Sequence, residues 1–212
     1  MLKKILDAAA AGHFPPGDGS VTVLPQPNTR DAGVIAFSAH AVVFTDQDPD
    51  WVRAAVAAAP ADVFAAPMNP HFLAAFADRT GRRMDTIDLL SAGSRLPGDP
   101  PLPLTPVTDR EHPRVLRALA YREDVRVWTA PGGVLVLGRG VAGRWECAVE
   151  VSPDSRGRGL GRALAVSARH LLPEGDHVWA QQAPGNVLSV RTFQAAGFRP
   201  MGSEALLIPR QP

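Results

Sequence analysis

The residues best suited to chemistry form a loop rich in glycine and arginine in the C-terminal half of the chain. Residues 156–162 read RGRGLGR and lie between an apolar run, 149–151, and a helical pattern that begins near Arg158. Glycines at alternate positions let a ligand approach the main chain. A helix that starts here directs its N–H groups and its positive dipole end to the same place. The loop therefore predicts a site for a phosphate or pyrophosphate, and the alternative is a surface turn with solvated arginines.

Two common phosphate-binding loops are excluded by the sequence itself. A Walker A loop needs a Gly-Lys-Ser/Thr end, and the only lysines are Lys3 and Lys4. A dinucleotide-binding loop needs Gly-x-Gly-x-x-Gly, but Arg162 and Leu164 occupy the two positions where the last glycine would stand. What is left is the pattern Arg-x-x-Gly-x-Gly between a strand and a helix.

A second motif follows the predicted strand 178–181. Asn186 is followed by Ser189 after three residues, by Phe193 after seven, and then by Gly197-Phe198. Asn186 is placed to cap a helix, Ser189 and Phe193 lie on one helical face, and glycine is placed to end the helix. On its own this pattern describes a well-capped helix.

Together, in this order, the two motifs resemble those of the GCN5-related N-acetyltransferase superfamily over residues 104–209. The resemblance implies a mixed, mostly antiparallel sheet flanked by helices. It also implies an N-acetyltransferase that moves an acetyl group from acetyl-CoA, the co-substrate, directly to a primary amine of a small molecule or peptide, without a metal. Direct transfer requires no acyl-cysteine step, so Cys147 is interpreted as a small buried residue.

The resemblance also implies how coenzyme A is held. Its pyrophosphate would lie on the N–H groups of 156–162 and its pantetheine arm along 149–151, where this strand splays from strand 178–181. A backbone N–H near Val149 would polarise the thioester carbonyl. The implied coenzyme A contacts are Val149, Val151, Arg156, Gly157, Arg158, Gly159, Gly161, Arg162, Asn186 and Phe193.

The catalytic groups are less determined. Glu146 and Glu150 precede the loop on one strand and share parity, so either could serve as general base or face solvent. We favour Glu146, which lies further from the pyrophosphate end. Relatives often have a Tyr acid where this chain has Phe193, and some have a Glu at Gln181, so Ser189 or water would protonate the thiolate. These departures keep open a non-catalytic acyl-CoA-binding or regulatory module.

Composition limits the class of protein. The chain has 212 residues and a net charge of +1, which argues against general affinity for nucleic acid or a membrane surface. One cysteine argues against a disulfide-stapled secreted fold, and we predict a cytoplasmic protein. The excess of arginine over lysine indicates a GC-rich bacterial source. The six histidines, His112 among them, lack metal-ligand spacing. Neither the acceptor nor the oligomeric state is determined, and a homodimer stays open.

Predicted strands and helices alternate over the first hundred residues, and the second half adds a helix, three successive strands, and then helices and strands in turn, which indicates an α/β (α+β) class. The densest proline segment, 97–113, predicts a linker between an N-terminal α/β region, 1–100, and an acetyltransferase domain, 101–212. In the first half, the predicted helix 69–81 has an asparagine cap and a glycine end, like the helix 186–197. A degenerate second copy of the same fold is one interpretation of this region.

Overall fold

A computed structural model describes residues 1–109, 111 and 113–210. By its contacts the chain divides into two compact units, Met1–Leu90 with the segment from Met201 onward, and Ser91–Pro200. The division predicted from the proline segment lies further along the chain and gives the last strand to the second half. His112 of the sequence analysis lies outside the described residues.

In the second half, the helices and strands lie close to the segments predicted from the sequence. The helices are α1 (Leu2–Ala10), α2 (Pro49–Ala57), α3 (Pro70–Thr80), α4 (Pro113–Leu119), α5 (Leu160–His170) and α6 (Val187–Ala195). The strands are β1 (Val21–Leu24), β2 (Ala32–Phe37), β3 (His40–Phe44), β4 (Arg82–Arg83), β5 (Ile87–Ser94), β6 (Thr105–Pro106), β7 (Glu123–Ala130), β8 (Gly133–Arg139), β9 (Trp145–Val151), β10 (His177–Gln182) and β11 (Arg199–Pro209). Among the described residues, every helix falls short of the length and apolar character needed to cross a bilayer.

The first unit is a sheet covered by helices. Strand β3 pairs in parallel with β1 and antiparallel with β2, and β2 pairs antiparallel with β11. Asn69 caps α3 as predicted, because its side chain accepts a hydrogen bond from the His71 N–H, and Gly81 ends the helix with a φ of +64°. Phe72 and Phe76 on α3 pack into the core of this unit. That the unit is a degenerate copy of the second stays a prediction.

The second unit contains both predicted motifs. Strands β6 to β9 are antiparallel neighbours in sequence order, and β10 pairs in parallel with β9. Helix α5 packs on one face through Leu164, which lies in the same core cluster as Leu135 of β8. Helix α4 packs through Val115 with Val127 and Val136. The predicted class, a mixed and mostly antiparallel sheet flanked by helices, is confirmed.

Candidate active site

The loop between β9 and α5 turns through two left-handed glycines. Gly157 has a φ of +72° and Gly159 a φ of +82°, a conformation that residues with a Cβ rarely adopt. Arg156 lies at the end of β9, where its Nε donates to the Val151 carbonyl at 3.2 Å. The loop is thereby fixed against the strand that precedes it.

The N-terminus of α5 opens from this loop. The Ala163 N–H donates to the carbonyl of Gly159 at 3.0 Å and makes the first bond of the helix. The N–H groups of residues 160–162 precede that bond, so they have no acceptor within the helix. Gly159 stands at the cap position and offers no side chain to fill it. This helix end is therefore able to bind an anion.

Gly161 allows three elements to meet closely. A Cβ built at this position would lie 3.3 Å from Cγ2 of Thr192 on α6 and 3.5 Å from Cγ2 of Val151 on β9. The first of these distances is tighter than ordinary van der Waals contact, so a larger residue would push the first turn of α5 away from its neighbours. The third glycine thus sets packing, whereas the first two set backbone conformation.

Helix α6 begins as the sequence predicts. The Asn186 Oδ1 accepts a hydrogen bond from the Ser189 N–H at 3.1 Å and caps the helix. Phe193, one turn further along, is buried and packs edge-on against Phe198 with ring centroids 4.9 Å apart. The start of α6 therefore faces the loop, while Phe193 belongs to the core.

A cleft of about 600 Å³ lies between the loop, the end of β9 and the start of α6. It brings together most of the residues proposed from sequence, namely Val149, Glu150, Val151, Arg156, Gly157, Gly159, Gly161, Arg162, Asn186 and Ser189. Three proposed residues, Glu146, Arg158 and Phe193, are not among its lining residues. We call this space the cleft below.

Four further residues line the cleft that the sequence analysis did not propose: Ser155, Leu160, Leu188 and Thr192. Thr192 follows Ser189 by three residues on a helix, so helical spacing could have identified it. Leu188 is an apolar side chain with 75% of its surface exposed at the mouth of the cleft. Its exposure depends on how α6 is oriented, which the sequence does not state.

Beside the cleft, β9 and β10 pair over a short distance only. In these two fully described strands the parallel register consists of Val178 with Trp145 and Trp179 with Glu146. Beyond that point β9 continues for five residues to Val151 without a residue pair to β10. We call the pair Glu146–Trp179 the fork. The splaying that the resemblance implied for these strands is present.

Glu146 is buried at the fork and tied to three donors. Its carboxylate accepts from the Arg144 Nε at 2.9 Å, from the Arg122 Nε at 3.1 Å and from the Val141 N–H at 3.2 Å. Burial raises the pKa of Glu146, but the charges of Arg144 and Arg122 and these hydrogen bonds lower it further, so the pKa lies below its ordinary value. Glu146 is therefore held as an ionised carboxylate.

The neighbouring groups on β9 differ sharply in environment. Glu150 is exposed and lines the cleft. Cys147 is buried in the core cluster that includes Leu164, and burial raises the pKa of its thiol to about 12. At neutral pH the Cys147 thiol is therefore protonated and shielded from solvent, which makes it a poor nucleophile.

One comparison with known proteins concerns the segment that holds this cleft. Residues 147–206, from β9 into β11, match the family model described as FR47-like protein. The FR47-like family is related to the GCN5-related N-acetyltransferases, so the resemblance predicted from the two motifs is confirmed over residues 147–206. A search of curated proteins finds no match to the sequence.

Some solved structures match a longer part of the chain than residues 147–206, but their sequence identity to it is low. An acetyltransferase from the GNAT family from Colwellia psychrerythraea is 11% identical, with a TM-score of 0.42 over 66% of this chain and 62% of that chain. A GCN5-related N-acetyltransferase from Kribbella flavida is 20% identical, with a TM-score of 0.44 over 66% of this chain and 64% of that chain. One from Sphaerobacter thermophilus is 16% identical, with a TM-score of 0.40 over 66% and 56%. The chain thus spans less than two thirds of the length of each of these neighbours.

Proposed function

We propose that this protein is an acyl-CoA-dependent N-acetyltransferase that transfers an acetyl group from acetyl-CoA directly to a primary amine of a small molecule or peptide. The observation that carries the proposal is one continuous cleft with a helix N-terminus at one side and, at the other, the stretch of β9 that has no residue pair to β10. The first suits a pyrophosphate, and the second suits an extended arm that contains amide groups. Coenzyme A has both in one molecule.

The residues of the cleft fit this donor. The N–H groups of residues 160–162 point into the cap of α5, and Arg162 adds positive charge beside them. Because Gly161 has no side chain, the backbone of α5 lies close to methyl groups of Thr192 and Val151, and all three residues line the cleft. The main chain of Val149 and Val151 would pair with the pantetheine amides on the side of β9 that faces β10, because β9 has no residue pair to β10 there.

The proposed reaction is a direct displacement at the thioester. The neutral amine attacks the carbonyl carbon, the C–N bond forms, and the C–S bond to coenzyme A breaks. The amine proton passes to Glu150, the carboxylate that lines the cleft, and the thiolate of coenzyme A takes a proton from solvent. Ser189 lies in the same cleft and would donate a hydrogen bond to the departing sulfur. Phe193 is buried and lacks a hydroxyl, so it has no part in this step.

The test combines binding with turnover. Calorimetry should give saturable binding of acetyl-CoA, and thiol release across a panel of amines should identify at least one acceptor. Wild-type protein that does not bind acetyl-CoA would refute the proposal. Binding without thiol release from any amine would instead support a non-catalytic acyl-CoA-binding module, which the missing hydroxyl at Phe193 favours.

A further inference from the structure

A buried charged cluster lies where β9 and β10 separate. We define the fork cluster as Glu146, Arg122, Arg144 and Trp179. The Arg144 guanidinium lies 5.2 Å from the ring centroid of Trp179, the β10 partner of Glu146 at the fork. Arg144 therefore contacts the last paired residue of both strands, through an ion pair to Glu146 and a cation–π contact to Trp179.

The fork cluster also ties the fork to two other elements of the second unit. Arg122 precedes β7 and reaches Glu146 across the strand between them, while the Val141 N–H comes from the turn that joins β8 to β9. Gly140 in that turn packs so closely on the Glu146 side chain that a Cβ there would overlap it. The carboxylate is thus the common acceptor for three donors, one that precedes β7 and two in the connection between β8 and β9.

The Glu146 carboxylate is poorly placed to act as a base. It is 4% exposed, is outside the lining of the cleft, and already accepts from two guanidinium groups. Breaking a buried ion pair leaves an uncompensated buried charge, so loss of the Glu146 carboxylate would disturb both arginines. Glu146 is also the last residue of β9 in register with β10.

We propose that Glu146 is a positioning residue that fixes the fork and so keeps open the slot beside residues 149–151 for the pantetheine arm. This proposal rests on the proposed function, because it assigns one part of the donor to that slot. The proposal divides the cleft into a part that binds the phosphates and a slot that binds the pantetheine arm. The loop and α5 hold the phosphates independently of Glu146, whereas the slot depends on it.

The experiment compares two probes on one set of variants. In this proposal coenzyme A fills both parts of the cleft, and 3′-phosphoadenosine 5′-diphosphate, which keeps the pyrophosphate but lacks pantetheine, fills only the phosphate part. For Glu146→Gln we expect the affinity for coenzyme A to fall at least tenfold and the affinity for the diphosphate to change less than twofold. Cys147→Ala is the matched control, since Cys147 is equally buried on the same strand but belongs to the core on the α5 side. It should leave the ratio of the two affinities unchanged.

A second variant and a pH profile keep the test decisive. If circular dichroism shows that Glu146→Gln does not fold, Arg122→Gln is used instead, because it removes one donor and leaves the Arg144–Glu146 pair. It should also lower the affinity for coenzyme A relative to the affinity for the probe without pantetheine. The pH dependence of thiol release should keep the wild-type shape in whichever variant folds. An unchanged ratio, an equal loss in Cys147→Ala, or a pH profile that loses its acidic limb in Glu146→Gln would overturn the positioning role. Failure of the wild type to bind coenzyme A would instead refute the proposed function.

Discussion

Gly159→Asp tests the anion site at the N-terminus of α5 directly. Gly159 has a φ of +82°, and a Cβ built there meets no atom within 4 Å, so the new side chain fits without a clash. Left-handed strain costs about 1 kcal/mol, and a carboxylate at a helix cap returns about 0.5–1 kcal/mol. The free energy of unfolding should therefore change by less than about 1 kcal/mol.

The effect on the ligand is much larger. For an assumed separation of about 5 Å, an Asp carboxylate and a pyrophosphate with two charges repel each other by roughly 1.6 kcal/mol at the dielectric constant of water. This repulsion corresponds to a loss of affinity of roughly 15-fold. A lower local dielectric increases the loss and added salt reduces it. Titration calorimetry with coenzyme A at two salt concentrations measures both.

Two matched variants separate charge from shape. Gly159→Asn has nearly the same size and tolerates the left-handed conformation, so it should weaken binding far less than Gly159→Asp. Gly98→Asp places the same charge at a glycine with a φ of +78° and open space around its Cβ, outside the cleft, and should bind normally. Equal losses for Gly159→Asn and Gly159→Asp would refute the electrostatic reasoning. Normal binding by Gly159→Asp would show that the pyrophosphate lies elsewhere.

Two further outcomes follow from the carboxylates. Glu150→Gln should lower the rate of thiol release by roughly 10²–10⁴-fold at neutral pH without weakening coenzyme A binding. The rate should recover partly at high pH, where the acceptor amine is already neutral. A parallel loss of coenzyme A binding would contradict a role for Glu150 as the base. In the first unit, burial and the charges of Glu204 and Asp85 raise the pKa of Asp88 to about 6. The folded state therefore holds a proton that the unfolded chain releases near pH 4, and this term destabilises the fold as pH rises from about 4 to about 6. The melting temperature of Asp88→Asn should therefore rise relative to that of wild type as the pH increases from about 4 to about 6. A difference in melting temperature that does not change with pH would contradict the raised pKa of Asp88.

The features that could be predicted from sequence are local ones. The turn conformations at Gly157 and Gly159 and the cap at Asn186 depend on residues a few positions apart, and all three are present. The fold class is implied by the superfamily resemblance that these motifs carry. The resemblance rested on the same local motifs.

The features that sequence did not determine depend on distant residues. Strand parity places Glu146 and Glu150 on one face of β9, in agreement with its regular register. The sequence pattern does not show that Glu146 is buried and paired with Arg122, 24 residues earlier. Phe193 shares a helical face with Ser189, but α6 enters the core within one turn. Ser189 therefore lines the cleft, whereas Phe193 is buried. Strand β11 contributes to the first unit because Ser203 pairs with Ala36 of β2, a contact across most of the chain.

The fork has a consequence for the sheet itself. Proteins usually place unpaired strand edges at the periphery and protect them with charges, bulges or covering loops. Here residues 147–151 carry such an edge in the interior of a sheet, between two strands that are close enough to pair at one end. An extended ligand with amide groups would complete this sheet as an added strand does in β-augmentation. In the proposed enzyme the substrate therefore replaces a missing part of the fold, and it leaves again, as coenzyme A, after each turnover.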